Sequence, residues 1–137
     1  MKTMQGSGRP LRLATWLGHL LTMAAALAGA AVALRVLGGA GVVHVALPQL
    51  FPFAELSLHI DGLSAFFLLV VCLVSAAASV YGPSYLGAHA KTPLVQTLAF
   101  MVFVSCMALV CCAGDALTFL LAWEGMTLAS YVLIISD

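Results

Sequence analysis

Four long apolar stretches, separated by short connecting segments, dominate the pattern of hydrophobic and polar positions in this sequence. They cover about residues 13–37, 63–86, 94–112 and 116–136. A helix needs about 20 mainly apolar residues to cross the hydrocarbon core of a bilayer, and each stretch provides them. The pattern therefore predicts an all-α integral membrane protein with about four transmembrane helices.

The composition agrees with this prediction. Of the 137 residues, 64% are hydrophobic and only 7% are charged, whereas a soluble domain carries roughly a quarter charged residues. The formal net charge is +0, which argues against nucleic-acid binding because that function needs a basic surface. We expect the lipid bilayer, and not nucleic acid, as a partner.

The first stretch has a second interpretation, as a secretory signal peptide. Lys2, Arg9 and Arg12 precede the apolar run, and small residues near positions 28–31 resemble a cleavage site. The run nevertheless continues to Leu37, which is longer than an ordinary signal core. We therefore favour a retained helix.

Residues 38–61 connect the first two stretches. Pro48 and Pro52 interrupt helices, while VVHVAL and ELSLHI on either side alternate in polarity. This arrangement predicts a small hairpin on the membrane surface.

The basic residues predict the orientation. Three of them precede the first stretch: Lys2, Arg9 and Arg12. Lys91 follows the second stretch, so two membrane crossings return it to the same side. Only Arg35 lies near the other side. Because cytoplasmic segments are enriched in Lys and Arg, we predict a cytoplasmic N-terminus and a periplasmic loop over residues 38–61. The turn at residues 113–115 would share the periplasmic side, with Asp115 capping the fourth helix.

The four cysteines lie inside apolar stretches and have no metal-site spacing: Cys72, Cys106, Cys111 and Cys112. We interpret them as packing residues. The sequence predicts no metal site, and no catalytic residue.

Glu124 lies near the middle of the fourth stretch. A charged side chain at a helix centre costs about 2.5–3.5 kcal/mol on insertion scales, so we expect it to face a protein interior or a water-filled cavity. At 100° per residue, Thr127 and Tyr131 share its face. This polar stripe is the candidate proton-transfer site, with Glu124 as its main residue. The alternative is a carboxyl group that only hydrogen-bonds across a helix interface.

No Lys or Arg lies deep within a stretch, so Glu124 has no cationic partner in this sequence. His19, inside the first stretch, is interpreted as a satisfied packing residue and not as a proton relay. The chain also ends directly after its fourth stretch. Both features lead us to expect a fragment or a split subunit.

Two motifs resemble a known family. DALTFLLAWEGMTLASYVLI contains Glu124, and FAELSLHIDGLSAFFLLVVCLVSAAASVYGPSYL precedes it. They resemble the antiporter-like subunits of complex I and its relatives, and are most similar to the large membrane subunit of hydrogenase-4 and formate hydrogenlyase complexes. The resemblance implies that Glu124 belongs to a broken-helix proton pathway and pairs with a lysine on a later helix.

The resemblance implies that residues 1–137 form a partial antiporter-like transmembrane domain within a larger helix bundle. Its function would be proton translocation in an NADH dehydrogenase-type or membrane-bound hydrogenase complex of the bacterial inner membrane. The partners would be other membrane subunits and the hydrophilic-arm subunits. Iron–sulfur clusters and flavin or nickel–iron would reside in those partners, with no cofactor and no catalytic centre in this chain.

Two alternatives remain open. An Mrp-type sodium/proton antiporter subunit shares the glutamate motif. A small helical membrane protein that only assembles with other subunits would also have this composition.

Overall fold

The computed structural model describes residues 8–46, 56–89 and 91–136, without the side chains of residues 87–89. Its elements follow in chain order as α1 (Gly8–Arg35), β1 (Val43–Ala46), β2 (Ser57–Ile60), α2 (Gly62–His89), α3 (Pro93–Cys112) and α4 (Ala116–Ile135). A π-helical turn, Val36–Ala40, extends α1. In this described part of the chain, four helices are long and apolar enough to cross a membrane. The predicted all-α membrane architecture is confirmed, and the chain is a multi-pass membrane protein.

Two helices extend beyond the apolar stretches that predicted them. The first begins at Gly8 instead of residue 13, and α2 continues to His89 instead of residue 86. The apolar pattern marks what lipid can cover, whereas backbone hydrogen bonding continues into the flanking residues. Helix α2 also continues through Pro83, which has no N–H to donate to the carbonyl four residues earlier.

The strands β1 and β2 pair in antiparallel fashion, which confirms the predicted hairpin. In its register His44 lies opposite His59, and the two Nδ1 atoms are 3.0 Å apart. Pro48 and Pro52 fall within residues 47–55, outside the described residues. The position of the hairpin on a membrane surface stays a prediction.

Small residues bring the helices close together. Helix α1 packs along α2, α4 packs along α3, and α3 also contacts both α1 and α2. Ala33 of α1 and Ala65 of α2 are both 0% exposed. A Cβ atom on Gly29 would lie only 2.8 Å from the Cys72 Sγ atom. Since a larger side chain has no room there, these positions set the separation of α1 and α2.

The hairpin and the turn between α3 and α4 meet at one end of the bundle. Gly114 N–H donates to the Ser57 carbonyl at 2.8 Å, and Ala113 forms an isolated bridge with Leu58. At the other end, the Gln96 side-chain amide donates to the Ser136 carbonyl at 2.9 Å. The loop and the turn therefore share one end, as the sequence predicted. Which end faces the cytoplasm stays a prediction.

Candidate functional site

Glu124 occupies the middle of the fourth helix. It is the ninth residue of α4, which has 20 residues. At 1.5 Å per residue it lies about 12 Å from the start of a helix about 30 Å long. The carboxyl group is therefore at mid-height in the span, where the sequence placed it.

The face of α4 that carries Glu124 points away from α3. The opposite face contains the buried residues Thr118, Ala122 and Ala129, and a Cβ atom on Gly125 would lie 2.8 Å from the Cys106 Sγ atom of α3. Glu124 is exposed on the surface of the described residues. We expected an interior or a cavity around this carboxyl group, and the described helices do not provide one.

Thr127 and Tyr131 lie on the same outward face as Glu124. Both side chains are exposed, Tyr131 by 61%. The Thr127 hydroxyl donates to the Trp123 carbonyl at 3.0 Å, one turn earlier in the helix. Within the described part of the chain, no hydrogen bond joins the three predicted site residues. The structure thus gathers them on one face without connecting them directly.

Basic side chains lie near the helix ends or in a loop. In residues 8–46, 56–89 and 91–136 they are Arg9, Arg12, Arg35 and Lys91. No Lys or Arg in these ranges lies at the mid-height of a helix, and none forms an ion pair with Glu124. The proposed lysine partner is therefore not supplied by the described residues.

His19 differs from its sequence interpretation. It is only 3% exposed, as a packing residue would be, but it is not satisfied. Neither Nδ1 nor Nε2 has a hydrogen-bond partner among the described residues, and the same holds for Ser79 Oγ on α2. Two features of the sequence indicate that unpaired polar groups lie near His19 and Ser79. One is a histidine within an apolar stretch, and the other is Pro83, four residues after Ser79.

Asp115 caps α4, as predicted. Its Oδ1 atom accepts from Thr118 N–H at 2.8 Å, and its Oδ2 atom accepts from the Thr118 hydroxyl at 2.7 Å. The same carboxylate accepts from the backbone N–H and the hydroxyl of Ser57, both at 2.9 Å. These hydrogen bonds, the backbone bond from Thr118 foremost, hold the pKa of Asp115 well below its usual range.

Asp61 is a second capping residue, which the sequence reasoning did not assign. Its Oδ1 atom accepts from Ser64 N–H at 2.8 Å at the start of α2, and this backbone hydrogen bond is the main reason that the pKa of Asp61 is lowered. An Asp immediately before an apolar helix is a usual capping signal. Asp61, which belongs to the family-like motif that precedes the Glu124 motif, therefore has a structural role.

The four cysteines are free thiols, with Cys72 and Cys112 buried and Cys106 and Cys111 partly buried. Among the described residues, no group of three or more His, Cys, Asp or Glu side chains is placed to hold a metal ion. Their surroundings are those of packing residues.

Several curated proteins resemble this chain. It is 34% identical over 121 residues to an uncharacterized protein of Mycobacterium tuberculosis, covering 88% of this chain and 18% of that protein. It is 33% identical over 99 residues to hydrogenase-4 component B of Escherichia coli, covering 71% of this chain and 15% of that protein. It is 32% identical over 130 residues to NADH-quinone oxidoreductase subunit L of Mycobacterium tuberculosis, covering 85% of this chain and 20% of that protein. No family model matches the chain.

The chain thus spans no more than about a fifth of the length of the curated relatives that it matches. Two of these relatives are named as subunits or components of a hydrogenase and of an NADH-quinone oxidoreductase. Together with the four membrane-length helices, they support the coarser identification made from the motifs, an antiporter-like membrane subunit of the complex I family.

Proposed function

We propose that this chain is part of a proton-translocating membrane subunit of an NADH dehydrogenase-type or hydrogenase-4/formate hydrogenlyase-type complex. Electron transfer in partner subunits would drive the movement of protons, and Glu124 would bind and release them. Iron–sulfur clusters and flavin or nickel–iron would belong to those partners, and the complex would lie in the bacterial inner membrane.

The observation that carries this proposal is the position of Glu124. It is an exposed carboxyl group at the mid-height of α4, on the face that α3 leaves uncovered. An ionisable side chain at this depth is costly in lipid and is therefore usually found in ion or proton pathways. Another protein segment or a water-filled path would cover this face, with the lysine implied by the family resemblance as the partner of Glu124.

Thr127 and Tyr131 extend the site along one face. A hydroxyl group can donate to an ionised carboxylate and accept from a protonated one. The Tyr131 hydroxyl lies on the exposed face of α4. The Thr127 hydroxyl donates to the Trp123 carbonyl, and its oxygen can still accept a hydrogen bond. We propose that they position water beside Glu124.

The test is Glu124→Gln in the complete subunit, assembled in its complex and reconstituted in vesicles. The amide has nearly the same shape as the carboxyl group, but it does not bind or release a proton near neutral pH. We expect proton pumping per electron to be lost while the redox activity of the hydrophilic arm continues. Unchanged pumping stoichiometry would contradict the proposal.

A matched control is Leu128→Gln, because Leu128 is an exposed neighbour on α4. It adds the same amide to the helix surface without removing an acid, so pumping should continue. Sodium-dependent proton exchange without an electron donor would instead favour an Mrp-type antiporter subunit. A Glu124→Gln variant that lowers only the yield of complex, with normal transport by the complex that forms, would favour an assembly protein.

A further inference from the structure

The His19 imidazole lies in a contact that only a glycine permits. A Cβ atom on Gly82 of α2 would clash with His19 Cε1 and would lie 2.9 Å from Nδ1 and 3.0 Å from Nε2. On its other side the ring lies against Phe100 of α3, with ring centroids 5.2 Å apart. The junction of α1, α2 and α3 is thus shaped around this imidazole.

This junction buries polar groups that have no partner among the described residues. A neutral imidazole has one N–H donor and one nitrogen acceptor, and buried polar atoms in folded proteins almost always have a partner, either protein or water. Both His19 nitrogens and Ser79 Oγ have none among the described residues. Pro83 in addition deprives the Ser79 carbonyl of its usual helical donor. The unmet hydrogen-bonding groups thus lie on one residue of α1, His19, and on one residue of α2, Ser79.

A cavity of about 240 Å³ lies beside the imidazole. It is lined by His19, Tyr81, Tyr85, Gln96 and Phe100, with apolar residues from α2 and α4. This volume is well above what one water molecule needs. The lining is mostly apolar, so the groups available to bind water are the two His19 ring nitrogens, which have no partner among the described residues. The site therefore has both the room for water and the groups to bind it.

The cavity lies toward the end of the bundle where α1 begins. His19 is seven residues beyond Arg12, about 10 Å along the helix, and Gln96 contacts Ser136 at that end. The titratable groups facing the cavity are His19, Tyr81 and Tyr85. In the described residues no Asp, Glu, Lys or Arg lines it, and Arg12, on the same face of α1, is exposed. His19 is thus the group there whose ordinary titration range includes neutral pH.

We propose that this cavity holds water and that His19 is its proton-exchanging group. A ring nitrogen takes a proton from hydronium to give imidazolium and water, and the reverse step returns the proton to water. This makes the α1–α2–α3 junction a second proton site, separate from the outward face of α4. The site does not depend on proton transport through Glu124.

The test is solid-state nuclear magnetic resonance of the complete subunit in lipid bilayers, with ¹⁵N-labelled histidine. The His19 signals are assigned by their loss in His19→Gln. We expect the two ring nitrogens to change from the neutral pattern, one donor and one acceptor, to two donors as the pH falls from about 9 to about 5. We also expect magnetisation transfer from water to the ring. The absence of either result overturns the proposal.

A cavity-filling variant gives a second measurement that keeps the histidine in place. Ala78 lines the cavity, so Ala78→Leu should abolish water transfer to the His19 ring. Ala77→Leu is the matched control because Ala77, at the preceding position of the same helix, is exposed, and it should leave the transfer unchanged. Equal transfer in both variants would contradict the assignment of this cavity. If Ala78→Leu fails to fold, the pH titration and the water transfer measured on the His19 ring of the unmodified chain still test the proposal.

Discussion

The Asp115 carboxylate accepts two hydrogen bonds from Ser57, a residue 58 positions earlier in the chain, at 2.9 Å from its N–H and 2.9 Å from its hydroxyl. The same carboxylate caps α4 through Thr118. One side chain thus ends a turn, begins a helix and holds the hairpin strand β2 against that turn. The antiporter-type motif that contains Glu124 therefore starts from a fixed point at one end of the bundle.

We predict that Asp115→Ala lowers the thermal unfolding midpoint of the subunit in detergent. Alanine removes the acceptor for the Thr118 and Ser57 donors, which leaves four hydrogen bonds unmade. Asp115→Asn should lower the midpoint less, because the amide oxygen still accepts from Thr118 N–H. Ser57→Ala is a control that removes only the hydroxyl bond between the hairpin and Asp115, because the N–H of residue 57 still donates to the carboxylate. Equal midpoints for Asp115→Ala and the unmodified chain would show that the cap contributes little.

The capping aspartates also predict a pH dependence. The pKa values of Asp115 and Asp61 are lowered in the folded chain, whereas an unfolded aspartate has a pKa of about 3.9. A lowered pKa means that the folded state favours the charged form, so this stabilisation is complete above about pH 4 and is lost as the pH falls through the folded pKa values. The unfolding midpoint should decrease on acidification below about pH 4.

The variant Asp115→Asn should weaken this acid-induced decrease, and the double variant with Asp61→Asn should weaken it further. The amide at each position does not titrate, so the stabilising contribution no longer changes with pH. Midpoints are measured in the same detergent from neutral pH down to the acid range. An acid-induced decrease that is as large in the double variant would mean that other groups cause it.

The helices and the hairpin were predictable because their signals are local. Twenty apolar residues specify a span wherever they occur, and the alternation on either side of Pro48 and Pro52 specified two strands that the structure pairs at His44 and His59. The Asp115 cap was predictable because an aspartate in a turn directly precedes an apolar run. The hydrogen bonds of Asp115 to Ser57 were not predictable, because no local pattern encodes a contact between residues 58 positions apart.

The candidate site was predictable in part. Helical periodicity correctly placed Glu124, Thr127 and Tyr131 on one face, but it cannot say what covers that face. The state of His19 was also beyond the sequence, since a buried histidine is satisfied or unsatisfied according to side chains on other helices. Gly82 and Phe100 become neighbours of His19 only through the packing of α1, α2 and α3.

The contact between α3 and α4 should respond to a single methyl group. In Gly125→Ala the new Cβ atom would lie 2.8 Å from Cys106 Sγ, so either the thiol or α4 has to move. Overpacking of this kind costs about 1–3 kcal/mol, more than the gain of about 1 kcal/mol from replacing glycine by alanine within a helix. We expect a lower unfolding midpoint in detergent.

A double-mutant cycle isolates this contact. Cys106→Ala removes the Sγ atom, so Gly125→Ala should be less destabilising, or even stabilising, in that background. The four unfolding midpoints are measured in one detergent. Additive effects of the two substitutions would mean that Gly125 does not contact Cys106.

The separation of α1 and α2 should also depend on a single small residue. Ala33 is 0% exposed, and a leucine there has no space. Ala33→Leu should therefore destabilise the chain by about 1–3 kcal/mol through overpacking and should lower its unfolding midpoint in detergent. Ala31→Leu is the matched control, because Ala31 is exposed two positions earlier on α1 and its side chain would meet lipid or detergent. If the two variants unfold at the same temperature, Ala33 is not in a close helix contact, and the packing of α1 on α2 described above is wrong.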